Sequence, residues 1–307
     1  MANERSRVIG HVLSIITILI WGSTFICTKL LFEVVTPIQI LVLRFGIGYV
    51  ACCVVQPKWT KPNRDEWCFL LLGVAGCSLY SLLENTALTM TSASNVSIIV
   101  TTAPILTAIL AHFLTKDEKL RRSIIVGSLI AFLGAVLVIY NGSFVLKLNP
   151  IGDLLSVLAA LCWAIYSVAL KKVVNKYGDI FITRKVMFYG FVTSIPMMII
   201  EGAPFSFSVF TMPKMLFCIL FLGLLGSCLC YIFWHNAIKR LGLITTSNYI
   251  YVIPFITVVV AAIVLGEKIE LIGILGAVLI ICGVIVSAKN PKPAVKPLDE
   301  AAEQEVK

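Results

Sequence analysis

Apolar residues run along this chain in long stretches, with polar and charged residues gathered at the joints between them. A helix that crosses a bilayer needs about 20 mostly apolar residues. Such windows lie at approximately 8–32, 37–55, 66–90, 92–114, 123–141, 150–172, 181–200, 213–238, 244–265 and 269–288. The joints are short and carry Pro, Gly and charge, as in "QPKWTKPNRDE", "TKDEKLRR", "NGSFVLKLNP" and "EGAPFSFS". The pattern predicts an all-α integral membrane protein with ten transmembrane helices. The tail 289–307, "KNPKPAVKPLDEAAEQEVK", is rich in Pro and charge and reads as a disordered cytoplasmic tail.

Composition agrees with that reading. Of 307 residues 59% are apolar and 13% charged, and the mean hydropathy is +0.98. Soluble domains carry about a quarter charged residues, and a water-soluble fold of this size could not hide so much apolar surface. Lys and Arg then orient the helices, because they gather on the cytoplasmic side. With the N-terminus inside, twenty of the 25 basic residues fall on inner segments. Lys29, Lys147, Lys214 and Lys268 fall on outer ends, and Arg44 lies within a span. The expected location is the cell (inner or plasma) membrane, multi-pass, with both termini cytoplasmic. No small-residue cleavage site follows the first apolar run, so the first helix reads as its own anchor. The net charge of +9 is therefore an orientation signal that also favours the anionic inner leaflet. It is not the aromatic-interleaved basic face of a nucleic-acid binder. The bilayer is the first expected partner and nucleic acid is not one.

The ten cysteines lie almost entirely within spans and show no CxxC spacing, so they read as small packing residues. No metal site and no cofactor are expected. HExxH, GxSxG and GxxxxGK[ST] are missing from the sequence, which argues against an enzyme and against an ATP-driven pump.

The chain also repeats itself. A shift of 142 sets Gly10, Leu13, Ser14, Leu19, Trp21 and Lys29 on Gly152, Leu155, Ser156, Leu161, Trp163 and Lys171. A shift of 150 pairs Pro104 with Pro254 and Thr107 with Thr257. A shift of 149 pairs Glu118-Lys119 with Glu267-Lys268, Gly127 with Gly276 and Gly134 with Gly283. The expected units are 8–141 and 150–288, five helices each. Five is odd, so the second unit enters the membrane from the other side. Two inverted repeats give a physical route to alternating access, which points to a transporter.

The residues that carry a resemblance are "ILIWGSTFICTKLL", Arg44 in "LVLRF", "TSASNVSIIVTTAPILTAILAHFL", "SNYIYVIPFITVVVAAIVLGEKI" and "GILGAVLIICGVIV". Together they resemble the drug/metabolite transporter superfamily, EamA-type family, over nearly the whole chain bar the tail. The resemblance implies a ten-helix carrier of small organic metabolites, often amino acids or their derivatives, working generally outward. Glu84 departs from the family's commonest pattern, which implies a small residue there, and so does His235.

Polar groups inside the spans are the candidate site. Glu84 lies roughly 8 Å below the outer surface, and Arg44 enters from the same side to roughly 10 Å, by the rise of 1.5 Å per residue. A charge in hydrocarbon is costly, and such charges pair or line a wet cavity. The matched depths predict that Arg44 and Glu84 approach each other. Three readings stay open: a fixed ion pair, a substrate clamp with Arg44 on a carboxylate and Glu84 on an amine, or a coupling proton on Glu84. A shift of 151 makes His235 and Asn236 the counterparts of Glu84 and Asn85, at opposite depths and not in contact. His235 is a candidate proton relay or a hydrogen-bonded interfacial histidine; His11 and His112 read as interfacial. Asn85 and Asn236 read as interhelix hydrogen bonders or cavity groups.

Trp21 and Trp163 stand mid-span, away from the interfacial belt, as packing or cavity wall. Tyr80 shares the face of Glu84 one turn away. Tyr166, Trp234, Tyr249 and Tyr251 add aromatic surface, and Ser23, Thr24, Asn95 and Asn248 add neutral polar groups. Such a wall suits a small, partly apolar solute. Pro104 and Pro254 are hinge candidates. The paired glycines of the fifth and tenth spans have close-packing spacing, structural or homodimer-forming. The rivals to a metabolite exporter are a lipid or lipid-linked-sugar flippase and a non-transporting membrane scaffold or sensor.

Overall fold

A computed structural model describes residues 2–57, 64–90, 96, 99–115, 121–140, 149–265 and 271–288. Lys58, Lys61, Asn95, Lys116, Glu118, Lys119, Lys147, Glu267, Lys268 and the tail 289–307 lie outside the described residues. The helices are α1 (Ala2–Leu31), α2 (Pro37–Val55), α3 (Glu66–Met90), α4 (Ala103–Leu114) and α5 (Arg122–Tyr140). They continue as α6 (Pro150–Leu170), α7 (Asp179–Glu201), α8 (Pro213–Leu241), α9 (residues 243–265) and α10 (Leu271–Ala288). No strand occurs among the described residues.

Among the described residues, six segments are long and apolar enough to cross a membrane: Glu4–Leu31, α2, α3, α6, α8 and Leu243–Val260. Three shorter apolar helices accompany them in α4, α5 and α10. Large apolar side chains cover the outside, among them Val54, Phe113 and Ile200, while serines and threonines are buried within. Lipid offers backbone groups no partner, so only self-satisfied helices fit such a surface. The protein is an all-α, multi-pass membrane protein.

Helix starts follow local chemistry. Thr36 opens α2 with a reciprocal capping box to Gln39, with Pro37 at the first helical position. Asn149 opens α6, its Oδ1 accepting from the amides of Ile151 and Gly152 ahead of Pro150.

Periodicity did not reveal the interruptions. Both α3 and α8 contain a stretch with i→i+5 bonds, Val74–Ser78 and Phe221–Leu229. The Leu79 amide donates to the Val74 carbonyl and the Cys230 amide to that of Leu225. A shift of 151 lays 74–78 on 225–229. Such π-stretches often mark functional positions. The two prolines sit at helix starts rather than at kinks in continuous helices. Pro104 is in the first turn of α4, after a break at Thr101–Thr102. Pro254 follows the 3₁₀ turn Asn248–Val252 that divides α9.

Contacts sort the helix ends onto two faces. On one, Arg240 Nη1 near the end of α8 donates to Ser6 Oγ at the start of α1 (2.9 Å). There too Lys185 of α7 pairs with Glu66 at the start of α3 (2.8 Å), and Arg184 donates to the Gln56 carbonyl after α2 (2.7 Å). On the other, Thr36 before α2 donates to Glu201 ending α7 (2.8 Å), and Asn149 before α6 donates to the Met90 carbonyl ending α3 (3.0 Å). The first will be called the basic face.

The glycine faces of α5 and α10 meet each other within the chain. A Cβ on Gly134 would stand 2.6 Å from the Gly276 carbonyl oxygen, and one on Gly283 would stand 2.5 Å from that of Gly127. Their use is internal close packing, so the homodimer suggested from these faces loses that support.

Gly134→Val would push two backbones apart, costing on the order of 1–3 kcal/mol; thermal unfolding in detergent should show a lowered midpoint, and an unchanged midpoint would refute the contact. At the basic face, Tyr177 Oη donates to Asp65 (2.9 Å) and Lys176 pairs with it (3.3 Å). The Tyr177 hydrogen bond, with Lys176 assisting, holds the Asp65 carboxyl below its usual range. A lowered folded pKa means this tie is complete above the unfolded value, about 4, and is lost as pH falls through the lowered one. Tyr177→Phe should therefore weaken the acid-induced fall in unfolding midpoint, and equal falls in both proteins would exclude the tie.

Candidate functional site

Seven helices leave a cavity between them. Its wall includes Trp21, Thr24, Phe25 and Thr28 from α1, Arg44 from α2, and Tyr80, Ser81, Glu84, Asn85 and Leu88 from α3. Val100, Thr101 and Ala103 enter from the α4 segment, Trp163 from α6, Tyr231 from α8, and Ile250 and Ile253 from α9. On α1 and α3 these residues come late in the helix, and on α2 Arg44 comes early. The cavity therefore spans from mid-bundle toward the face opposite the basic one. Its concave, mostly apolar wall with a few convergent polar groups matches a small-molecule site.

The sequence brings Arg44 and Glu84 to the same cavity, close enough for their charges to interact. They form no ion pair. Arg44 Nε donates to Ser227 Oγ at 3.1 Å, and its guanidinium stands 5.2 Å from the Phe45 ring centre. Glu84 Oε1 accepts from Tyr80 Oη at 2.7 Å, one helical turn back. Each charge keeps a neutral partner and presents its remaining capacity to the cavity. The fixed ion pair considered from sequence gives way to two separately held charges.

The π-stretches position this wall. Trp21 Nε1 donates to the Gly226 carbonyl in the α8 stretch at 2.9 Å, beside the Ser227 that holds Arg44. Tyr231 Oη donates to the Gly76 carbonyl in the α3 stretch at 2.5 Å. Gly76 must be glycine for another reason: a Cβ there would lie 2.3 Å from the Tyr166 ring. Trp21 and Trp163 meet edge to face at 5.3 Å between ring centres, and Tyr80 stands 5.4 Å from Trp163. Trp234 lies behind Trp21 at 5.0 Å, and Tyr166 behind Trp163 at 5.0 Å. Such stacks are geometrically specific and well ordered. They close the cavity toward the basic face.

The remaining sequence candidates lie elsewhere. Tyr166 is fully buried behind the aromatic floor and is not a wall residue. His235 is fully buried rather than interfacial. Its Nε2 lies 2.7 Å from Tyr166 Oη and its Nδ1 3.1 Å from Thr183 Oγ1. Thr183 also sits 2.8 Å from the Asp179 carbonyl as a donor, which uses its single proton. This network assigns the proton to Nδ1, so that Nε2 accepts from Tyr166. Asn236 is also outside the cavity: it donates to Asp179 (2.7 Å) and accepts from Arg240 (2.6 Å). Asp179 is further paired with Lys239 at 2.7 Å. A polar latch of α7 and α8 thus stands at the basic face. Asn248 bonds to Ser128 and Ser287, and Tyr251 packs with α5 and α10, again away from the cavity. His11 is half-buried against Tyr249 (2.6 Å), while His112 is exposed.

Sequence reasoning missed Tyr231, Phe25, Thr28 and Ser227. Tyr231 was findable, since the shift of 151 sets it on Tyr80. The others carry no charge and no repeat identity that singles them out.

The EamA-like transporter family model matches this chain twice, at residues 8–140 and 150–288. An uncharacterized transporter of Archaeoglobus fulgidus is 28% identical over 280 residues, covering 89% of this chain and 95% of that protein. The uncharacterized transporter YyaM of Bacillus subtilis is 29% identical over 276 residues, covering 87% and 89%. A probable terminal-alkyne amino-acid exporter of Streptantibioticus cattleyicolor is 24% identical over 279 residues, covering 88% and 90%. A protein crystal structure shares the fold with a TM-score of 0.74 at 19% identity, covering 91% of this chain and 96% of its own. Two family matches that together span the bundle, around a cavity walled by residues of both, lead to one conclusion: this chain belongs to the EamA-like transporter family.

Proposed function

We propose that the protein is a secondary transporter that exports a small zwitterionic organic metabolite, an amino acid or a derivative with an apolar side group. The observation that carries this reading is one cavity holding Arg44 and Glu84 from different helices, unpaired with each other, beside Trp21, Trp163 and Tyr231. The fork of Arg44 suits a carboxylate and Glu84 suits an ammonium group. The aromatic wall suits an apolar side group. The exporter named among the relatives supports the solute class and the direction for this chain.

In this proposal ten helices form two five-helix repeats, 8–141 and 150–288, inserted in opposite senses. The end-to-end contacts support it: α1 starts, and its counterpart α6 ends, on the basic face. The basic face is cytoplasmic by the positive-inside rule, so the cavity opens outward. Rocking of one repeat against the other would open it inward, with the breaks before Pro104 and Pro254 as pivots. A bare carboxylate in an apolar cavity is costly. Glu84 therefore takes up a proton when the ammonium group leaves, which couples export to proton entry.

Thermal unfolding of the detergent-solubilised protein against amino acids, nucleosides, sugars, amphipathic drugs and lipids tests the solute class. A ligand at about 100 times its Kd adds roughly 2.7 kcal/mol to the folded state. Zwitterionic amino acids with apolar side groups should raise the midpoint, and Arg44→Ala and Glu84→Gln should each abolish the rise. An upshift confined to lipids would replace the exporter with a flippase, and a flat response across the panel would reject the solute class. Flux into proteoliposomes tests the coupling. Solute movement should drive proton movement in the parent protein and not in Glu84→Gln, whose flux should lose its pH dependence; an unchanged pH profile removes the proton role and leaves the clamp.

A further inference from the structure

The region between the cavity floor and the basic face contains repeat counterparts of several cavity-wall residues. The shift of 142 sets Phe25 on Ser167 and Thr24 on Tyr166, and the shift of 151 sets Glu84 on His235. Trp21 and Trp163 are counterparts of each other, as are Tyr80 and Tyr231. These four already line the cavity, so it sits astride the centre of the repeat relation. Val100 with Ile250 and Ala103 with Ile253, by the shift of 150, are further pairs within the wall, whereas Thr24, Phe25 and Glu84 have counterparts on the basic side, where the bundle is packed shut.

That packed region carries polar groups with no use in the state described. Thr107 Oγ1, Ser167 Oγ, Trp234 Nε1 and Ser247 Oγ are buried without a hydrogen-bond partner in the chain. All four residues have no exposed surface. They come from α4, α6, α8 and α9, and the apolar residues around them, including Ala108, Val168, Leu243 and Ile244, form one cluster. An unpaired buried polar group is costly, and native structures keep few without reason. Four on facing helices mark a surface that is solvated in another state. The latch of Asp179, Lys239 and Asn236 stands between them and the basic face.

We propose that this region is a second solute cavity, opening to the basic face when the latch parts, with Thr107, Ser167, Trp234, His235 and Ser247 in its wall. It rests on the alternating-access reading above. Its wall offers hydroxyl and indole donors from Thr107, Ser167, Ser247 and Trp234, and none of these wall residues is a carboxylate. The second cavity therefore takes the carboxylate end of the solute and lacks the ammonium site that Glu84 supplies on the other side. Solute loaded from the basic face is held at one end, and gains its second anchor only in the outward cavity.

Ser167→Cys and Ser247→Cys test this with small changes in side-chain volume. Inside-out vesicles, with the basic face outward, are treated with a charged, membrane-impermeant methanethiosulfonate. Peptide mass spectrometry reads the label at each position above the native cysteines. Both positions should be modified slowly, and Asp179→Asn or Lys239→Gln, each weakening the latch, should speed modification at least about tenfold. Lys176→Cys, on the exposed basic face, should label fast in every background. Fast labelling at 176 with none at 167 and 247, in any latch background, would overturn the proposal, as would labelling only from the opposite face. Labelling as expected without flux of any solute would keep the cavity and reject the transporter reading; flux without labelling would do the reverse.

Discussion

Lipid accepts no hydrogen bonds, so every polar departure from a regular helix in this bundle must be answered by the chain itself. The π-stretches of α3 and α8 are such departures, and each is answered from another helix. The Gly226 carbonyl takes the Trp21 indole and the Gly76 carbonyl takes the Tyr231 hydroxyl. These two bonds cross between residues of the first and second family matches. They fix the aromatic wall, and with Ser227 they fix Arg44. Without the widened turns, the cavity would lose the anchors of three of its wall residues together.

The same rule explains how two charges persist there. Arg44 and Glu84 are not neutralised by one another; each is held by a hydroxyl. A direct pair would satisfy both at the cost of leaving little for a solute, and a buried pair adds little stability over an apolar replacement. Hydroxyl partners hold the side chains in place yet leave their charges available. The glycines serve a different end. At Gly127, Gly134, Gly276 and Gly283 they let α5 and α10 approach until backbones touch, which sets a rigid edge beside the more open site.

Much of this was legible beforehand. Hydropathy marked the apolar windows because a lipid-facing helix has no polar face to blur its ends. Trp21, Tyr80, Arg44, Glu84, Asn85 and Trp163 were found because mid-membrane polar and aromatic groups need a reason to be there. The partners were not legible. Matched depth placed Arg44 near Glu84, but depth says nothing of azimuth or of a third residue such as Ser227. Asn236 follows His235 as Asn85 follows Glu84, yet the two asparagines do different work. One faces the cavity and the other ties Asp179 to Arg240. Sequence equivalence gives the position in the repeat, and only the packed state tells which side is closed.

That asymmetry is the useful feature of the structure. Counterpart residues with different chemistry face opposite sides: a carboxylate at 84, an imidazole at 235; hydroxyls on Thr24 and Ser81, a phenol on Tyr166 and an apolar group on Ile232. A symmetric carrier would bind its solute equally from both faces, and binding the two states equally shifts no equilibrium between them. A carrier with the carboxylate on one side only holds a zwitterion differently in its two states. In the proposed carrier direction is set by gradients, and the ease of loading at each face by these substituted pairs. Glu84 and His235, a carboxylate and an imidazole, occupy the same place in the sequence repeat.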